Sequence, residues 1–311
     1  IFDRITQYYL TGTMQDGIFA LRHDGTYAYF VRRSYDRAKA EGLIDNIYPM
    51  RSYGDMSDFL GGRTSSIYID KNVVTLAHIE RLKKYFKIDR LLAADMAVQY
   101  VRSVKSEYEL SLMKESGRQH HHLLGTVVPS VLEEGMSEAD FTARLYKEMI
   151  NLGYQGLSRF SMFQTEMVVG QIGFGDNSIY PTSFDGPGGM KGMSSAVPII
   201  GDRDRLLKKG DLVFVDIGYG YNGYHSDCTQ VYMFGAKPDP HTENIHKKCM
   251  EIENQASKLL KPGSIPEEIY KEVMSGLDDE FKENFMGYKS SCVKFLGHGV
   301  GLQIDETPVI A

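Results

Sequence analysis

Two aspartates lie in neighbouring β-rich segments that a short turn connects. Asp216 interrupts an otherwise apolar segment at residues 212–218, and Asp227 lies in a second segment at residues 224–232. Two carboxylates in a largely apolar setting repel each other and resist the loss of water, so a fold tolerates them with a shared proton, cationic partners or a bound metal ion. Oxygen ligands favour a divalent ion such as manganese, iron, cobalt or zinc.

The turn decides which residues of the two segments face each other, and two registers are open. A loop at residues 221–222 places Asp216 directly opposite Asp227. A loop at residues 222–223 places Asp216 opposite Thr229, with Asp227 as its diagonal neighbour. Both registers put the two acids on one face of the hairpin. The alternative is that one acid points to solvent at a sheet edge and is an ordinary polar residue.

His298 is the third candidate ligand, in the segment G-H-G-V-G at residues 297–301. A lone histidine is more often a hydrogen-bonded core residue than a metal ligand. Here, glycines on both sides let another backbone or a substrate approach closely. Together with the separate carboxylate pair, they favour a metal-binding role for His298.

These motifs resemble those of a known superfamily. V-D-x-G at Asp216, Y-x-S-D-x-T at Asp227 and H-G-x-G at His298 resemble the metallopeptidases that include methionine aminopeptidase, prolidase, aminopeptidase P and creatinase. The segments Y-L-T-G at residues 9–12 and R-S-V-K-S at residues 102–106 resemble the creatinase and prolidase branch of that superfamily. The resemblance extends over nearly the whole chain.

The resemblance implies an α+β fold. A pita-bread catalytic domain at residues 103–311 would follow a smaller α/β domain of the creatinase type at residues 1–102. The family binds two divalent metal ions (manganese, cobalt, zinc or iron) through two aspartates, one histidine and two glutamates. Asp216, Asp227 and His298 match the first three ligands. The two glutamates are expected beyond residue 311, so we expect the catalytic domain to lack its C-terminal segment.

The resemblance also implies an activity, the removal of an N-terminal residue from a peptide, commonly ahead of proline, by an enzyme that is often a homodimer. Two departures bear on this activity. Asp305 replaces a histidine that usually follows the metal-binding histidine by seven residues and contacts substrate, and Ile199 lies near the usual place of another histidine. Asp305 would then face the substrate, where it would bind an amine or act as an acid.

Two further residues share the face of Asp227 if its strand is regular. His225 is a catalytic candidate that would supply an imidazole in place of a missing one, although a supporting or surface position is the simpler interpretation. Thr229 would donate a hydrogen bond to a ligand carboxylate and so orient it.

Two other classes of function remain open. Loss of the histidines that usually contact the peptide favours a non-peptidase enzyme of this fold, one that acts on a small amine or sulfonium compound in the manner of creatinase or a lyase. A catalytically inactive binding module is the other alternative. Retention of the Asp216 and Asp227 pair argues against the binding module, because buried carboxylates without a use are costly.

The elements that position these residues are visible in the periodicity. In the first hundred residues, β-rich segments at 17–21, 27–32 and 66–69 alternate with helical patterns such as 74–86, and residues 93–102 form a link. A long amphipathic helix is predicted from Ser103 toward Pro129. The consecutive histidines at 120–122 fan around it and are interpreted as surface residues.

A weak internal repeat indicates two related halves in the second part of the chain. Each half has two helices separated by a turn, and Gly135 in the first turn matches Gly263 in the second. Phe141 then matches Ile269, and Leu145 matches Val273. Between the halves, residues 180–192 are rich in glycine, proline and serine and are predicted to form a loop that lines a pocket.

Composition limits the possible partners. The 311 residues are 42% hydrophobic, and 35 basic and 41 acidic residues give a net charge of −6 without a basic face. This excludes nucleic acid and membranes as expected partners and leaves a peptide or small molecule. The absence of a long apolar run or a leader-like start predicts a cytoplasmic enzyme. Three widely spaced cysteines suit neither a disulfide framework nor a thiolate zinc site.

Overall fold

The structure is a computed structural model that describes residues 1–61, 63–162, 165, 167–288 and 291–311. The chain divides into two compact units, Ile1–Arg102 and Ser103–Ala311. Each unit mixes helices and strands. Within the described ranges, no helix is both long and apolar enough to cross a membrane.

The first unit alternates strands and helices around two small sheets. Strand β2 pairs antiparallel with β1 and parallel with β3, and β4 pairs parallel with β5. The predicted β-rich segments and the helix at 74–86 are confirmed, and the predicted link at 93–102 is mostly helical. The elements are α1 (Arg4–Thr11), β1 (Asp16–Leu21), β2 (Tyr27–Arg33), α2 (Tyr35–Glu41), β3 (Ile47–Pro49), a 3-10 turn (Tyr53–Met56), α3 (Ser57–Leu60), β4 (Arg63–Ile69), α4 (Leu76–Tyr85), β5 (Lys87–Ala93) and α5 (Asp95–Ser103).

The second unit packs helices against one face of a three-stranded antiparallel sheet, in the order β6-β7-β8. A second pair of strands, β9 and β10, lies near the end of the chain. The elements are α6 (Glu107–His122), a π-helical turn (Leu123–Val127), α7 (Val128–Val131), α8 (Glu138–Asn151), β6 (Gly170–Phe174), a 3-10 turn (Gly175–Ile179), β7 (Leu212–Tyr221), β8 (Tyr224–Met233), α9 (Pro240–Leu259), α10 (Pro266–Ser275), α11 (Asp279–Lys282), β9 (Gly297–Gly299) and β10 (Glu306–Ile310).

The long helix of the second unit begins at Glu107, four residues later than the periodicity predicts. Ser106 accepts a hydrogen bond from the backbone N–H of Glu109, and the Glu109 carboxylate accepts one from the backbone N–H of Ser106. This reciprocal cap satisfies two otherwise unpaired N–H groups at the start of the helix. The cap therefore sets the start of the helix at Glu107, a position that the apolar pattern alone does not mark.

Strand β7 has one face in the core and one face toward the candidate site. Val213, Val215, Ile217 and Tyr219 are at most 1% exposed and pack with residues of α8. Full burial of such a side chain contributes ~1.5–3 kcal/mol. Because side chains alternate along a strand, Phe214 and Asp216 point to the opposite face.

The two predicted halves correspond in the structure. Gly135 and Gly263 have φ angles of 85° and 87°, which places both turns in the left-handed region. The matched apolar residues are all buried, and they are Phe141, Leu145, Ile269 and Val273. The sequence repeat therefore reflects two helix pairs with equivalent turns and equivalent buried faces.

Candidate metal centre

The hairpin of β7 and β8 adopts the second of the two open registers. Asn222 and Gly223 form the loop, with φ angles of 47° and 94°, and Asp216 pairs with Thr229. Positive φ at both loop residues is the requirement of the type I′ turn that fits twisted strands. Asp227 pairs with Gly218, so it is the diagonal neighbour of Asp216 on the same face.

Thr229 and Gln171 flank Asp216 on the two adjacent strands. The Thr229 hydroxyl donates to Oδ1 of Asp216 at 2.6 Å, which fixes the rotation of the carboxylate. On the other side, Gln171 of β6 pairs with Asp216 in register and is 1% exposed. Its Oε1 has no hydrogen-bond partner among the described residues. Gln171 lies in no recognisable motif and was not expected at the site, because the neighbour of β7 in the sheet was not predicted.

His298 approaches the carboxylate pair from β9. Its Nδ1 lies 3.1 Å from the carbonyl oxygen of Gly299, and its Nε2 lies 3.6 Å from Oδ2 of Asp227. Because a carbonyl oxygen only accepts, Nδ1 carries the proton in the neutral ring, and Nε2 then presents a lone pair to the Asp227 carboxylate. A nitrogen lone pair and a carboxylate oxygen face each other favourably when a cation lies between them and binds both.

Burial raises the pKa of both aspartates, and nearby negative charges raise the pKa of Asp227 further. For Asp216, the loss of water outweighs the Thr229 hydrogen bond and the influence of His298, both of which lower its pKa. The pKa of Asp227 is raised by burial first and then by the negative charges of Asp216 and Asp305. About 27% of the Asp227 side chain stays accessible, so a ligand can reach it. Raised pKa values of two neighbouring carboxylates are typical of sites that bind cations.

The donor chemistry fits a divalent metal ion, although these three residues do not enclose one alone. Donors at ~2.1 Å from one ion lie about 3–3.6 Å apart, which matches the separation of His298 Nε2 and Asp227 Oδ2. Across the described ranges, no group of three or more histidine, cysteine, aspartate or glutamate side chains is placed to hold a single ion. Asp216, Asp227 and His298 therefore form a partial ligand set that needs further donors.

A glycine lets the turn between β9 and β10 approach the hairpin. A Cβ atom on Gly218 would lie 2.1 Å from Cδ1 of Ile304 and 2.8 Å from Oγ of Ser158. Any side chain at position 218 would thus push away the segment that follows His298. The glycine of the V-D-x-G motif brings the His298 segment and the aspartates together.

His225 joins three segments around the site. It is fully buried, its Nδ1 lies 3.0 Å from the carbonyl oxygen of Gly301, and its Nε2 lies 2.9 Å from Nε2 of Gln155. The backbone N–H of Arg159 also points to His225 Nε2, at 3.4 Å. Burial lowers the pKa of His225 to about 4, so the ring is neutral. Both nitrogens have protein partners, which is the arrangement of a residue that positions its neighbours.

Asp305 contacts the segment that contains Ser161. Its Oδ1 accepts the backbone N–H of Ser161 at 2.9 Å, and its Oδ2 accepts the Ser161 hydroxyl at 2.8 Å. Asp305 is also close enough to Asp227 for its charge to raise the pKa of that residue. Asp305 therefore lies at the edge of the candidate metal centre with a defined protein partner.

A buried ion pair also contacts this turn. Nζ of Lys105 lies 3.0 Å from Oε2 of Glu306, and the two side chains are 9% and 7% exposed. Oε1 of Glu306 accepts the backbone N–H of Gln303. The sequence shows Lys105 within the family-like R-S-V-K-S segment, but only the structure shows its partner.

The loop at 175–201 lies over the same face of the sheet as Asp216. The carboxylate of Glu138, which is fully buried, accepts the N–H of Phe174 at 2.7 Å and the N–H of Asp202 at 2.8 Å. One side chain thus holds both ends of this loop, which includes Ile199. Within the loop, a Cβ on Gly188 would lie within 3.0 Å of Phe214 and Gln171, both next to Asp216.

The interpretation of residues 120–122 as surface histidines is wrong for one of them. His121 and His122 are exposed, but His120 is 2% exposed and its Nδ1 lies 3.0 Å from the hydroxyl of Ser226. Helix α6 packs against β7 and β8, so its inward positions are buried. The sequence pattern did not distinguish the inward histidine from its two neighbours.

Two family models match this chain, and curated proteins resemble it in sequence. The family model for Metallopeptidase family M24 matches residues 111–311, and that for the Creatinase/Prolidase N-terminal domain matches residues 1–104. An uncharacterized peptidase of Staphylococcus epidermidis is 25% identical over 276 residues, which cover 89% of this chain and 67% of that protein. An uncharacterized peptidase of Staphylococcus aureus is 25% identical over 305 residues, which cover 96% of this chain and 77% of that protein.

Solved structures share the fold. The prolidase from Pyrococcus furiosus has a TM-score of 0.75 and 20% identity over 99% of this chain and 81% of its own. The Xaa-Pro dipeptidase from Bacillus anthracis has a TM-score of 0.78 and 18% identity over 99% and 78%. The predicted α+β pita-bread fold with a creatinase-like N-terminal domain is confirmed. The chain belongs to metallopeptidase family M24, a family of peptidase-type hydrolases, in the branch that carries a creatinase/prolidase N-terminal domain.

Proposed function

We propose that the chain is a dinuclear metal-dependent peptidase that removes an N-terminal residue from a short peptide, in the manner of an Xaa-Pro dipeptidase or aminopeptidase. The observation that carries this proposal is the convergence of Asp216, Asp227 and His298 on one face of the sheet, with Nε2 of His298 facing Oδ2 of Asp227 at 3.6 Å. Solved relatives of the same fold include an Xaa-Pro dipeptidase.

Each residue has a defined task in this proposal. Asp216, Asp227 and His298 would hold two divalent ions (manganese, cobalt, zinc or iron), with Asp227 placed between the other two ligands. When bound, the ions would lower the pKa of a water molecule and polarise the scissile carbonyl. Thr229 holds Oδ1 of Asp216 through its hydroxyl and leaves Oδ2 free of that bond. Nδ1 of His298 donates to Gly299, which orients the ring.

Catalytic roles for Asp305 and His225 stay predictions. Asp305 has its two oxygens on Ser161, and His225 has its two nitrogens on Gly301, Gln155 and Arg159. A manganese centre, a homodimer and a cytoplasmic location also stay predictions, which elemental analysis, analytical ultracentrifugation and cell fractionation would test.

One observation favours a second candidate function. The usual substrate-contacting histidine is replaced by Asp305, a carboxylate at the edge of the metal centre. A negative charge at this position suits a substrate with a free amine or another cationic group. An enzyme that acts on a small amine or sulfonium compound is therefore the alternative to a peptidase.

The first test is the metal content of the protein purified without chelator. We expect close to two divalent ions per chain, and we expect Asp216→Asn to lose metal and to lower hydrolysis of Xaa-Pro dipeptides more than about 100-fold, because the loss of an outer partner alone costs 10–100-fold. Asp279→Asn is the matched control, since Asp279 is fully exposed on α11. Metal-free protein at neutral pH that still processes small amines would reject the peptidase proposal.

A further inference from the structure

The contact between Asp305 and Ser161 belongs to a group of hydrogen bonds that join two segments of the chain. The backbone N–H of Ile304 donates to the carbonyl oxygen of Arg159 at 2.8 Å, and the Asp305 carboxylate accepts both donors of Ser161. Three hydrogen bonds thus fasten residues 159–161 to the turn that follows His298. Aspartate suits this task because an ionised carboxylate accepts two hydrogen bonds side by side.

Phe160 lies between the two fastened residues, and its ring contacts a second loop. The rings of Phe160 and Phe184 have centroids 5.4 Å apart and cross at 82°, the edge-to-face geometry that aromatic pairs favour. Phe184 belongs to the loop at 175–201, which Gly188 holds against Phe214 and Gln171 beside Asp216. The aromatic pair therefore joins the two segments that border the metal-facing side of the sheet.

We infer that Asp305 is a positioning residue, which holds Ser161 so that Phe160 and Phe184 form an apolar side of the substrate cleft. This inference deepens the proposed function and rests on it for the identity of the cleft. It assigns to Asp305 a role that depends on the shape and hydrogen-bonding capacity of the side chain. Direct catalysis or amine binding by Asp305 would instead depend on its negative charge.

Three variants separate shape from charge. Asp305→Asn keeps one acceptor for the Ser161 N–H and an amide group near the Ser161 hydroxyl, but removes the charge. Asp305→Ala removes both bonds, and Ser161→Ala removes only the hydroxyl. For Leu-Pro hydrolysis, we expect Asp305→Ala to lower kcat/KM at least about 10-fold, Asp305→Asn to retain most of the activity that Asp305→Ala loses, and Ser161→Ala to lie between the two.

Substrate selectivity identifies the apolar side of the cleft. We expect Asp305→Ala and Phe184→Ala to lower the preference for Leu-Pro over Ser-Pro at least about 5-fold, mainly through KM, because lost apolar contact weakens binding. Asp305→Asn should keep the wild-type preference, and Phe184→Leu should restore part of it. A purely structural role of Asp305 would lower kcat for both dipeptides equally.

A fluorescence measurement tests the same inference without any activity. The chain has no tryptophan, so Phe184→Trp introduces its sole indole. We expect Asp305→Ala in this background to raise the acrylamide quenching constant of the indole at least about 2-fold, while Asp305→Asn leaves it unchanged. Melting temperatures of all variants, measured in parallel, exclude global unfolding as the cause.

The outcomes distinguish this inference from the proposed function. If wild type cleaves neither dipeptide, the proposed function fails, and the quenching result alone decides whether Asp305 positions Phe184. If Asp305→Asn loses as much activity as Asp305→Ala while Ser161→Ala matches wild type, the charge acts directly and the inference is overturned. Wild-type activity and quenching in all three variants would overturn it as well.

Discussion

The hairpin that carries Asp216 and Asp227 and the strand pair that carries His298 are held in place by different kinds of contact. Strands β7 and β8 are ten residues each and pair without interruption from Leu212 to Tyr221. Strands β9 and β10 have three and five residues, with a register shift between Glu306 and Val309. The turn between β9 and β10 is held by Lys105, which precedes α6, by His225 of β8 and by Ser161.

This difference separates two ways of placing a ligand. In the hairpin, backbone hydrogen bonds set the register, and the register alone places the aspartates. In the short pair of strands β9 and β10, single side chains that are distant in sequence, such as Lys105 and His225, bind the connecting turn. We therefore expect single substitutions to damage the second region more than the first.

The largest expected loss of stability follows from removal of the ion pair between Lys105 and Glu306, which is buried next to strands β9 and β10. Lys105→Met removes the ammonium group from a buried ion pair with Glu306, and loss of one partner of such a pair costs ~3–5 kcal/mol in the free energy of unfolding. Urea denaturation would measure this loss.

The control is an exposed ion pair of similar length. Arg144 and Glu133 lie 2.7 Å apart with side chains 52% and 67% exposed, so Arg144→Met should cost at most about 1 kcal/mol. Equal losses in the two variants would contradict the importance of burial. Addition of Glu306→Gln to Lys105→Met should recover part of the stability.

A pH-dependent effect is expected behind the hairpin, at His120. Burial lowers the pKa of His120 to about 4, from an unfolded value near 6.5. Because the unfolded chain binds the proton first, the contribution of neutral His120 is complete above pH 6.5 and declines as the pH falls toward 4, by up to ~3 kcal/mol. His120→Asn should remove this part of the acid sensitivity.

The measurement is the free energy of unfolding of wild type and His120→Asn between pH 4 and 7. His121→Asn is the matched control, since His121 is exposed on the same helix. A difference between wild type and His120→Asn that stays constant across this range would show that His120 titrates normally in the folded protein.

The smallest expected effect on stability lies within the hairpin itself. Thr229→Val removes the hydroxyl that donates to Asp216 but keeps the backbone pairing and the β-branched shape. We expect unfolding to change by less than about 1 kcal/mol and metal affinity to fall about 10–100-fold. Titration calorimetry with Mn²⁺ would measure the affinity, and Thr229→Ser, which keeps the hydroxyl, should bind metal like wild type.

The contrast between local pairing in the hairpin and long-range contacts at the β9–β10 turn also explains which features could be predicted from the sequence. The hairpin, its acids and the two helix pairs follow from local periodicity and turn residues, and the structure agrees with them. The choice between the two registers required the φ angles of Asn222 and Gly223. The partners of Lys105, His225 and Asp305 could not be predicted, because each contact joins segments distant in sequence.

His120 shows the same limit at shorter range. Three consecutive histidines on one helix differ only in their direction, and the burial of the first depends on where α6 crosses β7 and β8. Sequence periodicity alone did not fix that crossing. Gln171 was missed for a related reason, since the order of strands in the sheet is not a local property.

The two hydrogen bonds that the Glu138 carboxylate accepts affect how this protein can diverge in evolution. Because its carboxylate binds the amides of both Phe174 and Asp202, the ends of the intervening loop are fixed independently of what lies between them. Doubling the length of a flexible loop with fixed ends costs only ~0.6 kcal/mol in closure entropy. Changes in the length of the loop between residues 175 and 201 can therefore accumulate during evolution while the sheet that carries Asp216 keeps its geometry.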